Sequence, residues 1–207
     1  MSNNKNIILG YSGHAYVVAE AAFKADIAIH YYADKEEAQN DPFNLDYLGY
    51  EGSNDFEGWN KGFGFILGTG NNDIRFKIGE LVTNKEEELL TVIHPSAEIS
   101  KCADVGKGTF VSSQASVNAL SKIGKFVILN TNCVIEHECY IADGVHIAPG
   151  AVLAGNVKVG KGSFIGANAV VKEGVTIGEN VIVGAGATII NDIPHNKKMV
   201  GNPGREI

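Results

Sequence analysis

The stretch LNTNCVIEHECYIADGVHIAPGAVL, Leu129–Leu153, carries an aliphatic residue at every sixth position: Leu129, Ile135, Ile141, Ile147 and Leu153. The same step holds on both sides, from Ile93 to Ile189, giving seventeen consecutive aliphatic positions over about 97 residues. Four places after each of the first sixteen sits a small or short residue, such as Ala115, Cys133, Cys139 or Ala151. Gly often follows the aliphatic directly, as at Gly106, Gly124, Gly160 and Gly178. A helix needs a period of 3.6 and a flat sheet a period of 2, so a period of six excludes both. It predicts a parallel β-helix with one short strand per hexad and three walls per coil, a little over five coils in all. Aliphatic residues then stack inside, short residues fill the corners and glycines permit the turns. Cys133 and Cys139 fall on interior positions and are accounted for as small apolar residues.

The first 91 residues have another rhythm. Asn6–Gly10 (NIILG) reads as a buried strand, Tyr11–His14 as a turn and Ala15–Ala25 as an Ala-rich helix. Ile27–Asp34 and Phe63–Gly70 read as further strands, and Asn71 as the N-cap of a second helix. Strands alternating with helices predict a small parallel sheet of Rossmann type over residues 1–91. Lys35–Asn60 is polar and rich in turn residues, so it reads as loop with room for one short strand. The period changes to six near Thr91–Pro95, placing the β-helix domain at 92–207.

Composition narrows the class of function. The chain has 207 residues, 44% hydrophobic and 20% charged, as ordinary globular proteins do. Residues 1–92 carry seven Lys/Arg against fifteen Asp/Glu, and residues 93–207 ten against nine. No clustered basic face for nucleic acid emerges from that balance. No run reaches the roughly 20 apolar residues of a membrane span, and the N-terminal apolar run is too short for a signal peptide. Cys102, Cys133 and Cys139 form no CxxC pair, and buried reduced thiols in a cytoplasmic protein are the expectation.

Chemistry-bearing residues fall in two groups. GYSGH, Gly10–His14, follows a strand and opens a helix, where backbone N–H groups favour a phosphate, although Tyr11, Ser12 and Tyr16 break the dinucleotide fingerprint. Asp34 ends the second strand, and GTGNN (Gly68–Asn72) ends the third on the same edge. These residues admit two readings: contacts to a nucleotide sugar, or a tight structural turn beside a solvated acid. His137 and His146 also admit two. Neither takes an interior hexad position, so both are expected to face outward, on neighbouring walls. They could be isolated surface histidines. Alternatively, His137 is a general base steadied by an adjacent Glu, with the two histidines meeting only between subunits packed side by side. Two histidines alone are too few to hold a metal.

The hexads resemble those of the left-handed β-helix acyltransferases. With GYSGH, TGNN, NTNCVIEHECYI, GVHIAPGA, AGNVKVGKGSFIGANAVV and VGAGAT, the whole chain resembles the bacterial nucleotide-sugar acetyltransferases. Within that group it is most similar to the UDP-4-amino-sugar N-acetyltransferases of bacillosamine biosynthesis. The resemblance implies a homotrimer with acetyl-CoA between neighbouring β-helices and no metal. It implies that His137 is the general base and Glu138 the acid that raises its basicity. His146, Ala167 and Ala185 would then contact acetyl-CoA. Ser12, Gly13, His14, Asp34, Lys35 and Gly70 would contact the nucleotide sugar. Two departures stand out: Lys35 replaces one of a pair of acids, and Gly204 replaces Ala in the GNPA tail.

The expectation is therefore direct acetyl transfer from acetyl-CoA to the 4-amino group of a UDP-linked amino-deoxy sugar. The thioester oxyanion would be met by an N–H of His146 or a backbone amide. Two rivals use the same scaffold: a sugar O-acetyltransferase of the sialic-acid type, and a non-catalytic trimeric module that binds nucleotide sugar.

Overall fold

The computed structural model describes residues 5–207. The first part is a five-stranded, all-parallel sheet with spatial order β3-β2-β1-β4-β5. Its elements are β1 (Asn6–Leu9), α1 (Gly13–Lys24), β2 (Tyr31–Ala33), β3 (Asp46–Tyr47), β4 (Gly64–Leu67), α2 (Asn72–Asn84) and β5 (Glu88–Leu89). β1 and β4 are buried throughout, as expected of central parallel strands covered on both faces. α2 begins where the Asn71 side chain accepts from the Ile74 N–H at 3.0 Å, with Asp73 in the first turn complementing the helix dipole. β2 is shorter than the Ile27–Asp34 segment that reads as a strand, because pairing with β1 begins only at Tyr31.

Past β5 the chain winds into a three-walled parallel β-helix of seventeen two-residue strands, from Val92–Ile93 to Thr188–Ile189. Up to Val170–Val171 each strand pairs with the one eighteen residues on, as Val134 does with Val152. Wall I contains Phe110–Val111, Ile128–Leu129, His146–Ile147, Phe164–Ile165 and Ile182–Val183. Wall II contains Ser116–Val117, Val134–Ile135, Val152–Leu153 and Val170–Val171, and wall III contains Lys122–Ile123, Tyr140–Ile141 and Lys158–Val159. The aliphatic of each hexad points inward and forms one continuous core with the short corner residues. Ile93 is the exception at 37% exposure, because the first coil is open at its end. Lys198–Val200 extends wall I, and Arg205–Glu206 folds back on it antiparallel.

The corners repeat as strictly as the walls. From Gly108 to Gly186 every corner places one residue at φ near +60°, and most are Gly or Asn, which tolerate the left-handed region. Gln114, Leu120, Phe126 and Glu138 are the side chains that break this habit within the coils. Phe126 does so to dock the first domain. Its ring is 1% exposed and meets Phe76 of α2 edge-on at 5.7 Å. Outward residues Val92, Phe110 and Ile128 of wall I are likewise buried beneath α1. The two domains therefore share apolar surface along wall I.

Cys133 and Cys139 are buried as expected, and burial pushes the Cys133 thiol up to about 12. Cys102 is exposed, contrary to the expectation for all three. It lies in a corner one place before the short-residue position Ala103, so its side chain points out. Among the described residues no helix is long and apolar enough to cross a membrane.

Candidate active site

Beyond the carboxyl ends of β1 and β4 two loops meet, where the order of the sheet reverses and ligands of such folds bind. Gly10, at φ +82°, presses against the Thr69 side chain, and Gly68 against the Gly10 carbonyl. A Cβ at either place would collide. Asp34 spans this turn: one carboxylate oxygen accepts the Tyr11 N–H at 2.8 Å and the other the Lys35 N–H at 2.7 Å. Ser12 sits at the N-cap of α1 without a side-chain capping bond, and Ser12, Gly13 and Lys35 are exposed. Lys35 departs from a paired acid in sequence, yet a second carboxylate lies close by. Glu51 is 6% exposed, its carboxyl is pushed up mainly by burial with a smaller push from Asp34, and its Oε2 has no hydrogen-bond partner.

His14 and His146 come together across the domain border with ring centroids 6.2 Å apart. His146 also stands edge-on to Phe164 at 5.0 Å, and its Nε2 lies 3.1 Å from Asn130 Nδ2. Burial, then Arg75, lowers His14 to about 4. Burial, then Arg75 and His14, lowers His146 to about 3, with the nearby Gly70 carbonyl pulling the other way. Both imidazoles are neutral at pH 7. The expectation that His146 faces outward holds for the prism alone: what it meets is the first domain, because that domain covers wall I. Above it a cleft of about 630 Å³ opens between Gly70–Asp73 and wall I, floored by Phe164 and Ile182.

His137 occupies a different setting. It lies in the corner between walls II and III, where its Nδ1 is 3.1 Å from Glu138 Oε2 and both side chains are more than half exposed. Glu138, at φ +59°, is held in the left-handed corner position, and this turns its carboxylate back to the preceding ring. One coil further on, Gly155 makes room: a Cβ there would stand 2.5 Å from the His137 Cε1 and 2.6 Å from its Nε2. In a triangular prism this corner is the vertex opposite wall I. His137 and His146 are therefore on opposite sides of one chain, not on neighbouring walls as their nine-residue spacing suggests, because His137 lies at a vertex and His146 at mid-wall.

Ala167 and Ala185 stack one coil apart in the third setting, the corner between walls I and II, the first half-buried and the second exposed. Wall II thus runs between the Ala167–Ala185 corner and the His137 corner. Its outward residues Val134 and Val152 are half-buried and Val170 is 43% exposed, whereas wall III presents Lys122, Tyr140 and Lys158.

Three residues escape a first reading of the sequence: Asn130, Gly155 and Arg75. Gly155 is eighteen residues after His137, one coil on, so the repeat itself could have found it. Arg75 stands on the buried stripe Arg75, Ile78, Gly79, Val82 of α2, and a charged residue on an apolar stripe is the signal.

Comparison with known proteins finds a match in each part of the chain. Residues 5–82 match the PglD N-terminal domain, and residues 121–155 and 156–191 match the bacterial transferase hexapeptide (six repeats). The acetyltransferase domain of PglB from Neisseria gonorrhoeae FA1090, solved in complex with acetyl coenzyme A, superposes with a TM-score of 0.89. It is 33% identical, and the match covers 100% of both chains, sheet domain and left-handed β-helix together. GDP-perosamine N-acetyltransferase of Escherichia coli O157:H7 is 31% identical over 93 residues, 45% of this chain and 42% of that protein. UDP-N-acetylbacillosamine N-acetyltransferase of Bacillus subtilis (strain 168) is 39% identical over 47 residues, 23% of this chain and 22% of that one. The chain thus aligns with less than half the length of each of these two relatives.

Proposed function

Since this chain belongs to the hexapeptide-repeat sugar N-acetyltransferases with a PglD-type N-terminal domain, we propose that it moves the acetyl group of acetyl-CoA directly to the 4-amino group of a UDP-linked amino-deoxy sugar. The single observation that carries the reading is the exposed His137–Glu138 pair, a base oriented through Nδ1 by a carboxylate and set in a corner cleared by Gly155. In this reading the sugar nitrogen gives up a proton to His137 and attacks the thioester carbon, and CoA leaves as its thiolate. Glu138 steadies the charge the ring acquires. The oxyanion is met by an N–H of His146 or by a backbone amide. No covalent enzyme intermediate is required.

The nucleotide sugar is held by the sheet domain through Ser12, Gly13, His14, Asp34, Lys35 and Gly70. His146, Ala167 and Ala185 stay assigned to the acetyl-CoA side. The reading requires a homotrimer. A base at the vertex opposite wall I cannot serve a nucleotide sugar held over the same chain's wall I, so a neighbour must present it. The apolar face of wall II, running from the Ala167 corner to the His137 corner, supports that packing.

The test is CoA release with a panel of UDP- and GDP-linked amino sugars, since relatives named for each nucleotide align with this chain. UDP-linked 4-amino sugars should be acetylated at nitrogen. Reaction only with hydroxyl acceptors would give the O-transferase, and no reaction with any acceptor the binding module. His137→Ala should lower kcat by ~10²–10⁴-fold, the typical worth of a placed general base, with the melting temperature unchanged. Glu138→Gln should cost less. Wild-type turnover in His137→Ala would sink the assignment.

A further inference from the structure

Arg75 is 1% exposed, and no carboxylate among the described residues pairs with it. Its five N–H groups are spent on neutral acceptors instead. Nε donates to the Phe126 carbonyl at 2.8 Å, and Nη1 to the carbonyls of Gly70 at 2.9 Å and Thr69 at 3.4 Å. Nη2 donates to Asn72 Oδ1 and the Gly144 carbonyl, both at 2.9 Å, and to the Val145 carbonyl at 3.4 Å. These acceptors come from three places. Thr69 and Gly70 form the turn after β4, Asn72 is the first turn of α2, and Phe126 and Gly144 are the same corner of two successive coils. Val145 leads straight into His146.

Packing does not require a cation here. An apolar side chain of similar volume commonly serves a buried site as well as an ion, so a buried arginine calls for a role beyond filling space. What this fork does is geometric. It grips the Gly70 carbonyl on the sheet domain's side and, on the coil's side, the carbonyl of Val145, the residue that precedes His146. The planar guanidinium can hold such divergent acceptors in one arrangement, which a lysine ammonium cannot.

We propose that Arg75 is a positioning residue: it locks the Thr69–Gly70 turn of the sheet domain to the coil that carries His146, and so sets where a bound nucleotide sugar stands relative to the acyl-transfer wall. The inference rests on the function proposed above for its catalytic consequence, and on the structure alone for the lock. Buried beneath the cleft, Arg75 touches no substrate and acts through Gly70 and His146. Its removal should therefore leave each ligand bound and misplace one against the other.

The test uses the full chain with Arg75→Lys, which keeps the charge, and Arg75→Met, which keeps the bulk. Both are assayed below their melting temperatures. Kinetics with the sugar nucleotide and acetyl-CoA should show kcat reduced ~10–10²-fold in both variants, the scale of a misplacement of about 1 Å. Calorimetric binding of UDP and of CoA should stay within about twofold of wild type. Amide hydrogen exchange should quicken over residues 69–72 and 144–146 in both variants. Wild-type kcat in Arg75→Lys would overturn the proposal, as would a loss confined to the KM of the nucleotide sugar. If the wild-type chain acetylates no sugar, the proposed function fails while the exchange measurement still decides on Arg75: unchanged protection of both segments in both variants refutes the lock.

Discussion

His146 and His137 are nine residues apart and both lie off the aliphatic positions of their hexads, yet they live in opposite environments. His146 stands at mid-wall, buried by another domain and held neutral beside a buried arginine. His137 stands at the opposite vertex, exposed, with a carboxylate on Nδ1 and a glycine beneath its ring. The repeat alone sets both against the solenoid's outer surface; what separates them is what comes to cover each wall. The ring that stays free and oriented is the one available to take a proton; the ring under the second domain is held in place by its surroundings.

The sharpest way to break that contrast is to fill the space under His137. Gly155→Ala should displace the ring, since the new Cβ would meet its edge, while the exposed ring can swing away at little cost to folding. Acetyl transfer should fall ~10–10²-fold with a melting temperature near wild type, as expected for a misplaced reacting group. Full activity in Gly155→Ala would show that the ring position in this corner does not matter.

Acid titration sharpens the other side. His14 and His146 are depressed in the folded state, to about 4 and about 3, below their ordinary value of 6.5. Between these values the unfolded chain binds more protons, so stability is complete above about pH 6.5 and is lost as the pH falls toward 4. Each unit of displacement is worth about 1.4 kcal/mol, so the pair costs several kcal/mol across that window. Urea unfolding from pH 7.5 to 4.5 should show this slope, and His146→Gln should flatten it. An unchanged slope in His146→Gln would show that this ring is not held neutral by its burial.

The smallest effect concerns the corner itself. Leu120 lies one coil before Glu138 in the same left-handed position, 59% exposed. Leu120→Asn gives that position a residue suited to it and should raise stability by about 0.5 kcal/mol, or roughly 1–2 °C in Tm. A lower Tm would mean that Leu120 is held by contacts a single chain does not reveal.

The solenoid was legible because its signal is local and repeated: each hexad states its own inward residue, and no distant contact is needed to read it. The sheet domain was legible through its strand-and-helix rhythm and the Asn71 cap. Cys102 could have been read correctly, since it is out of step with the short-residue series that places Cys133 and Cys139 inside. Two things were hidden for one reason. That wall I is the covered wall, and that Arg75 reaches Phe126 and Gly144, both depend on segments brought together from fifty or more residues away. Periodicity carries no information about such meetings.

The eighteen-residue coil also acts as a ruler. Neighbouring strands lie about 4.8 Å apart, so a whole coil inserted or deleted between the docking residues Phe110 and Ile128 and the His137 corner would slide His137 along the axis by one such step. A partial coil would turn every inward residue off its wall. The distance from the sheet domain to His137 is thus available only in discrete increments, and length variants of this scaffold should come in multiples of eighteen residues.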